Sequence, residues 1–152
     1  MHKDQEDWSK SFMYSIHQTY FLVQKRLEQK LLEIKGITFS QFLILLPLHC
    51  KERAKEHASQ ADIAEFLHLT EATVSRHISS LEKDKMLTRK EDPENRRKHM
   101  LELTTKGAEE FSRAHKIIET ELKSIFEVIP TGDRTQIIHT FDIVLKKLLS
   151  KK

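Results

Sequence analysis

The residues whose types and spacing could do chemistry concentrate between Ser59 and Thr104. Within this segment, Glu71-Ala-Thr-Val-Ser-Arg-His-Ile-Ser-Ser-Leu-Glu sets Val74, Ile78 and Leu81 at helical spacing on one side. Thr73, Arg76, Ser79, Ser80 and Lys83 fall on the other sides. The apolar side suits burial. Hydroxyls and a guanidinium on an exposed helix suit base edges and phosphates in the major groove of duplex DNA. A plain solvated face is the competing reading. The cap at Thr70, the turn before it and the charged hairpin after it favour the nucleic-acid reading.

Other chemistries find less support. The chain has no Gly-rich phosphate loop, no nucleophile elbow and no paired His/Glu metal motif, so neither catalysis nor a cofactor is expected. His17, His49, Cys50 and His57 could be assembled in space, but no His-x-x-x-His or Cys-x-x-Cys spacing marks a zinc site. Structural or surface roles are therefore favoured for the histidines. His77 suits half-buried packing or a phosphate contact. Cys50 is expected to be a buried or idle thiol, because no pKa-lowering partner is legible around it. A winged helix used only for protein contact would need apolar anchors on the helix face that here carries Thr, Ser and Arg.

The bulk numbers agree with a mildly basic binding protein. The 152 residues suit one domain or two small lobes, and the net charge of +3 permits nucleic-acid binding without demanding it. Cationic character must then be focused locally. Cys50 stands alone, which excludes an internal disulfide. With no legible secretory leader, a reducing cytoplasmic setting is expected. The longest apolar patch, Phe42 to Leu48, is far short of the ~18 residues of a spanning helix.

These residues need elements to position them. Residues from about Trp8 to Ile34 read as one long helix, with Phe12, Ile16, Val23, Leu27, Leu31 and Ile34 forming an apolar stripe and Gly36 as its left-handed stop. Thr38 to Gln41 matches a capping box that opens a second helix running to about Leu48, with Pro47 expected to kink or end it. The stretch from Lys51 to Ala58 reads as a helix end plus connector. Ser59 to Asp62 caps a third helix that turns Ile63, Ala64 and Leu67 inward, and His68 and Leu69 make the turn to Thr70. Leu87–Glu91 and Lys98–Leu103 alternate as strands around Asp92-Pro-Glu-Asn, forming a hairpin with Arg96, Arg97 and Lys98 at its tip. Glu91, Asp92 and Glu94 are expected to orient those cations. Thr104 or Thr105 caps a helix to about Ile129. A last helix, from about Asp133 to Leu149, is expected to turn Ile137, Ile138, Phe141, Leu145 and Leu148 inward. The broad apolar faces of the terminal helices suggest pairing with a second copy around a twofold axis.

In register, these elements resemble the MarR family of winged-helix regulators, from about Trp8 to Leu149. The resemblance rests on Gln60 to Lys83, with its Thr-Val-Ser-Arg and Leu-Glu-Lys, and on Asp92-Pro-Glu-Asn-Arg-Arg through Leu103-Thr-Thr-Lys-Gly107. It implies a mostly α fold with a small β-wing, a winged helix-turn-helix carried between N- and C-terminal dimerisation helices. Residues 1–152 would form one such domain, with a DNA-binding lobe over 55–104 and a helical lobe over 8–35 and 105–150. It further implies a cytoplasmic homodimeric regulator of transcription, a repressor, on a pseudo-palindromic operator. Release would come through a small-molecule effector or, alternatively, a metal or oxidant.

Carried over residue by residue, DNA contacts would fall on Thr70, Glu71, Ala72, Thr73, Ser75, Arg76, His77, Ser79, Ser80 and Lys83. In the hairpin they would fall on Arg89, Arg96, Arg97 and Lys98, with Arg97 reaching the minor groove. Tyr14, His17, Tyr20, Phe42 and Leu46 would line an effector cavity, against the alternative of plain core. Three departures stand out. Lys85 occupies a position usually held by Gly, Asn95 one usually held by Asp, and Pro47 is unexpected inside the second helix.

Overall fold

A computed structural model describes residues 3–53, 58–91 and 99–150 of the protein. In chain order the elements are α1 (Lys3–Glu33), α2 (Phe39–Arg53), β1 (Ala58–Ser59), α3 (Gln60–Leu67), α4 (Glu71–Lys83), β2 (Leu87–Glu91), β3 (His99–Leu103), α5 (Thr105–Phe126) and α6 (Thr131–Leu149). The chain divides into two compact units, residues 1–119 and residues 120–152.

In the first unit, β2 and β3 pair antiparallel from Leu87↔Leu103 to Glu91↔His99, forming the expected hairpin. The two-residue β1 adds to the far edge of β3, giving the order β1-β3-β2. Sequence alternation cannot reveal so short a strand. The core gathers Leu27 and Leu31 from α1, Ile44, Leu45 and Leu48 from α2, and Ile63, Val74, Ile78 and Leu81 from the helix pair, all at most 2% exposed. Each such side chain stabilises by about 2 kcal/mol through apolar burial.

Several sequence expectations need correction. Helix α2 does not end near Leu48 but continues past Pro47 to Arg53. Proline removes a helix hydrogen bond, yet Pro47 is itself buried and lies between the buried Leu45 and Leu48. Burial of this stretch offsets the lost bond. The left-handed residue after α1 is Lys35 (φ 50°), not Gly36. Gly36 answers instead to close packing, since a Cβ there would lie 3.0 Å from Ile34 Cδ1 and 3.3 Å from Glu110 Oε2. The stripe of α1 is buried only at Leu27 and Leu31, while Phe12 is exposed.

Local caps set the helix starts. Thr38 and Gln41 form the expected box at α2, with Gln41 N–H donating to Thr38 Oγ1 (3.1 Å) and Thr38 N–H to Gln41 Oε1 (3.0 Å). Glu28 of α1 adds a carboxylate that accepts from Phe39 N–H at 2.8 Å. At α3, Asp62 N–H donates to Ser59 Oγ, and Asp62 Oδ2 accepts from the Ser59 N–H at 2.7 Å. Burial pushes the Asp62 carboxyl up, but the Ser59 N–H, the Ser59 hydroxyl and the Lys51 ammonium outweigh it. Asp62 therefore stays below its ordinary range.

Helix ends show a second pattern. His68 (φ 52°) and Lys85 (φ 58°) join Lys35 as non-glycine residues in the left-handed region. At both of these ends the paired backbone bonds of a Schellman motif are present. Leu69 N–H reaches Ala64 O and His68 N–H reaches Glu65 O; Met86 N–H reaches Leu81 O and Lys85 N–H reaches Glu82 O. The motif is made, and Lys85 holds it at the steric expense of a Cβ.

In the second unit, the end of α5 and α6 face each other. Helix α5 ends at Phe126 rather than near Ile129, and α6 begins at Thr131, directly after Pro130. Arg134 reaches back to the carbonyls of Ile129 (3.0 Å) and Glu127 (3.4 Å). The residues expected to turn inward on α6 are not buried: Ile138 is 62% exposed and Leu148 74%. With Leu122, Phe126 and Ile129, residues Ile137, Ile138 and Phe141 line an open groove of about 660 Å³. One chain alone does not cover the apolar side of this helix.

Two outcomes test the caps. Asp62→Asn should lower unfolding free energy by about 1 kcal/mol at neutral pH. A carboxyl with a depressed folded pKa stabilises above its unfolded pKa and loses that contribution as pH falls through the folded value. The penalty should thus shrink below about pH 4, and urea titrations showing a pH-independent penalty would contradict the box. Lys85→Gly should raise stability by up to about 1 kcal/mol by relieving the left-handed strain. A lower midpoint of thermal unfolding would contradict that account.

Candidate nucleic-acid interface

Helix α4 is built to show one side and hide the other. Thr70 caps it, accepting from Thr73 N–H at 3.2 Å while the two hydroxyls pair at 2.9 Å. Glu71 in the first turn and Lys83 in the last match the helix dipole. Val74, Ile78 and Leu81 are fully buried, so the helix cannot roll without exposing them. That fixes which side chains face outward. Thr70, Glu71, Ala72, Arg76, Ser79, Ser80 and Lys83 are exposed, and Thr73, Ser75 and His77 are half-buried.

The neighbouring elements constrain this helix further. Gln60 at the start of α3 donates to Glu71 O at 3.3 Å, tying the two helices at the turn. Arg89 on β2 does not point freely outward: its Nε donates to Glu82 Oε2 of α4 at 2.9 Å. This ion pair is about one-third exposed and stabilises by no more than about 1 kcal/mol. It fixes the direction of the Arg89 guanidinium and neutralises the carboxylate on α4. Glu82 carried no sequence signal for this role, because its partner lies seven residues away on another element. On the hairpin, Lys90 pairs with Glu102 across the two strands.

The hairpin tip, with Asp92, Glu94, Arg96, Arg97 and Lys98, lies outside the described residues, as do Asn95 and His57. The expectations for them stay as the sequence states them.

The expected cavity residues differ in exposure. Tyr14 and Tyr20 are 67% and 62% exposed on α1, and His17 is exposed between them in sequence. Phe42 is 4% exposed and stacks on Phe111 at 5.0 Å with the rings nearly parallel, which is core packing between α2 and α5. Leu46 is half-buried. His49 leans its ring on Phe111 at 4.6 Å. Among the described residues no group of three or more His, Cys, Asp or Glu side chains is placed to hold a metal ion. Cys50 is exposed rather than buried, on a shallow groove of about 360 Å³ with Pro47, Lys51, Asp62, Glu65 and Phe66. None of the described helices is long and apolar enough to cross a membrane.

The comparisons with known proteins fall on the same elements. The MarR family model matches residues 37–99. These residues run from just before α2 to the first residue of β3. The uncharacterized HTH-type transcriptional regulator YdgJ of Bacillus subtilis (strain 168) is 29% identical over 104 residues, which are 68% of this chain and 60% of that protein. The Staphylococcus aureus MepR–DNA complex superposes with a TM-score of 0.80 at 23% identity, covering 90% of this chain and 97% of MepR. The transcriptional repressor CouR, bound to a 23-mer DNA duplex, superposes with a TM-score of 0.79 at 23% identity, covering 91% of this chain and 95% of CouR. The capped helix pair, the outward polar side of α4 and strands β1 and β2 of the sheet lie within the stretch that the MarR family model matches, and the chain shares the fold of MepR and CouR.

Proposed function

We propose that the protein is a sequence-specific DNA-binding regulator of transcription, a repressor that works as a homodimer in the cytoplasm. The observation that carries this reading is the division of α4. Three side chains are wholly buried on one side, and Arg76, Ser79, Ser80 and Lys83 are displayed on the other. A rod so oriented offers hydroxyls and a guanidinium to base edges and phosphates, while Lys and Arg release counterions from the phosphates. Residues 55–104 would form the DNA-binding lobe and residues 8–35 and 105–150 the helical lobe. Two copies would address half-sites about 34 Å apart. The DNA-bound state of MepR and CouR, proteins of the same fold, supports this assignment. The uncovered apolar side chains of α6 and of the first half of α1 supply a surface on which two copies could pair.

Effector control is a separate part of the proposal. An effector can shift the dimer only if it binds two arrangements of the lobes with different affinity. Tyr14, His17 and Tyr20 are open to such a ligand in the single chain, whereas Phe42 is already committed to core.

Duplexes recovered by the purified protein from a randomised pool test the central reading. Paired half-sites one helical turn apart are expected. Failure to enrich any sequence, together with no binding to any duplex at low salt, would refute it. Arg76→Ala should weaken the recovered duplex about tenfold or more and random DNA far less. Equal losses would reduce Arg76 to a phosphate contact. Arg97→Ala should weaken operator binding while circular dichroism stays unchanged. An unaltered gel shift would remove the hairpin tip from the interface.

A further inference from the structure

The turn that closes α4 is held from outside more completely than its own helix requires. Three consecutive carbonyls, those of Asp84, Lys85 and Met86, each accept a hydrogen bond from the start of α5. Lys106 Nζ donates to Asp84 O at 2.8 Å, Thr104 Oγ1 to Lys85 O at 2.7 Å, and Thr104 N–H to Met86 O at 3.1 Å. The Asp84 carboxylate is approached by Gln41 Nε2 of α2 at 3.5 Å. Gly107 lets the backbones meet, since a Cβ there would sit 1.8 Å from Met86 O. At the centre stands Lys85 at φ 58°, a lysine in a conformation that glycine adopts without strain.

Such saturation has a geometric consequence. Carbonyls at a helix C-terminus carry partial negative charge, and an ammonium placed on them is held electrostatically. Arg76 lies eight residues before Asp84, about 12 Å along the helix axis. A tilt of about 5° at the turn would therefore carry the Arg76 backbone by about 1 Å, beyond the tolerance of a bidentate base contact. The buried stripe of α4 resists rolling about the axis. The carbonyl clamp adds a restraint against tilting.

We propose that the first turn of α5 sets the pitch of the recognition helix, with Lys106 as a positioning residue for base recognition. Its ammonium is committed to the Asp84 carbonyl rather than to a phosphate. The inference rests on the DNA-binding reading above, and it predicts effects that a phosphate contact would not produce. Lys106→Arg keeps the cation and its reach. Lys106→Met keeps the stem and removes the donor.

The test compares full-length wild type with both variants. Binding is measured by fluorescence anisotropy over a salt series, on a duplex recovered from a randomised pool and on a scrambled duplex. Amide hydrogen exchange of Lys85 and Met86 is followed by NMR without DNA. Lys106→Met should bind the recovered duplex about fivefold more weakly, leave the scrambled duplex and the salt slope unchanged, and exchange faster at Lys85 and Met86. Lys106→Arg should restore both readouts. Unchanged exchange would show that Lys106 does not hold the turn. Faster exchange with unaltered affinity would show that the hold positions nothing. Equal losses on both duplexes with a shallower salt slope would make Lys106 a phosphate contact. If wild type binds no duplex, the DNA reading and the positioning role fall together, while the exchange data still report whether the turn is clamped.

Discussion

The backbones of α5 and of the turn after α4 meet at one point, Gly107 against Met86, where no side chain could be inserted. Much of the winged half depends on that approach. It lets Thr104 bind the Met86 and Lys85 carbonyls and still cap α5 through Gly107 N–H at 2.9 Å. It brings the end of β3 beside the start of β2, as the Leu87↔Leu103 pair requires. A single threonine thus serves the end of one helix, the start of another and the base of the hairpin. The same junction explains how a strained Lys85 persists. Its local cost is on the order of 1 kcal/mol, small beside the hydrogen bonds and apolar burial that surround it.

The interface follows from which interactions are deep and which are shallow. Val74, Ile78 and Leu81 are completely removed from water and fix the rotation of α4. The polar contacts around the helix are half-exposed and individually weak. Their value lies in direction rather than energy. Arg89 turned toward Glu82, and Gln60 turned toward the Glu71 carbonyl, narrow the directions in which the polar side of α4 can face. Apolar burial supplies the stability, and the polar fringe aims the helix.

The second unit shows the opposite balance. Helix α6 is regular from Thr131 to Leu149 although its side chains are exposed throughout. Most helical stability in proteins comes from packing of an apolar face. A helix with Ile137, Ile138, Phe141 and Leu145 open to water is therefore a helix awaiting a surface. The proposed homodimer supplies one.

Short-range rules made much of this protein legible in its residues alone. Spacing of a hydroxyl from a carboxamide or carboxylate marked the boxes at Thr38 and Ser59, and a hydroxyl marked the cap at Thr70. Helical spacing of Val74, Ile78 and Leu81 marked the buried side of α4, and therefore its polar side. Alternation marked the hairpin. Each of these depends on groups within about one helical turn of each other, so sequence distance and spatial distance coincide. What needed the folded chain depends on groups far apart along it. The Arg89–Glu82 pair, the Lys106–Asp84 contact, the third strand β1, the exposure of Cys50 and the passage of α2 through Pro47 belong to this class. Tertiary packing chooses among side-chain directions that local rules leave equally open, and it can offset a broken helix bond that local rules would count as a stop.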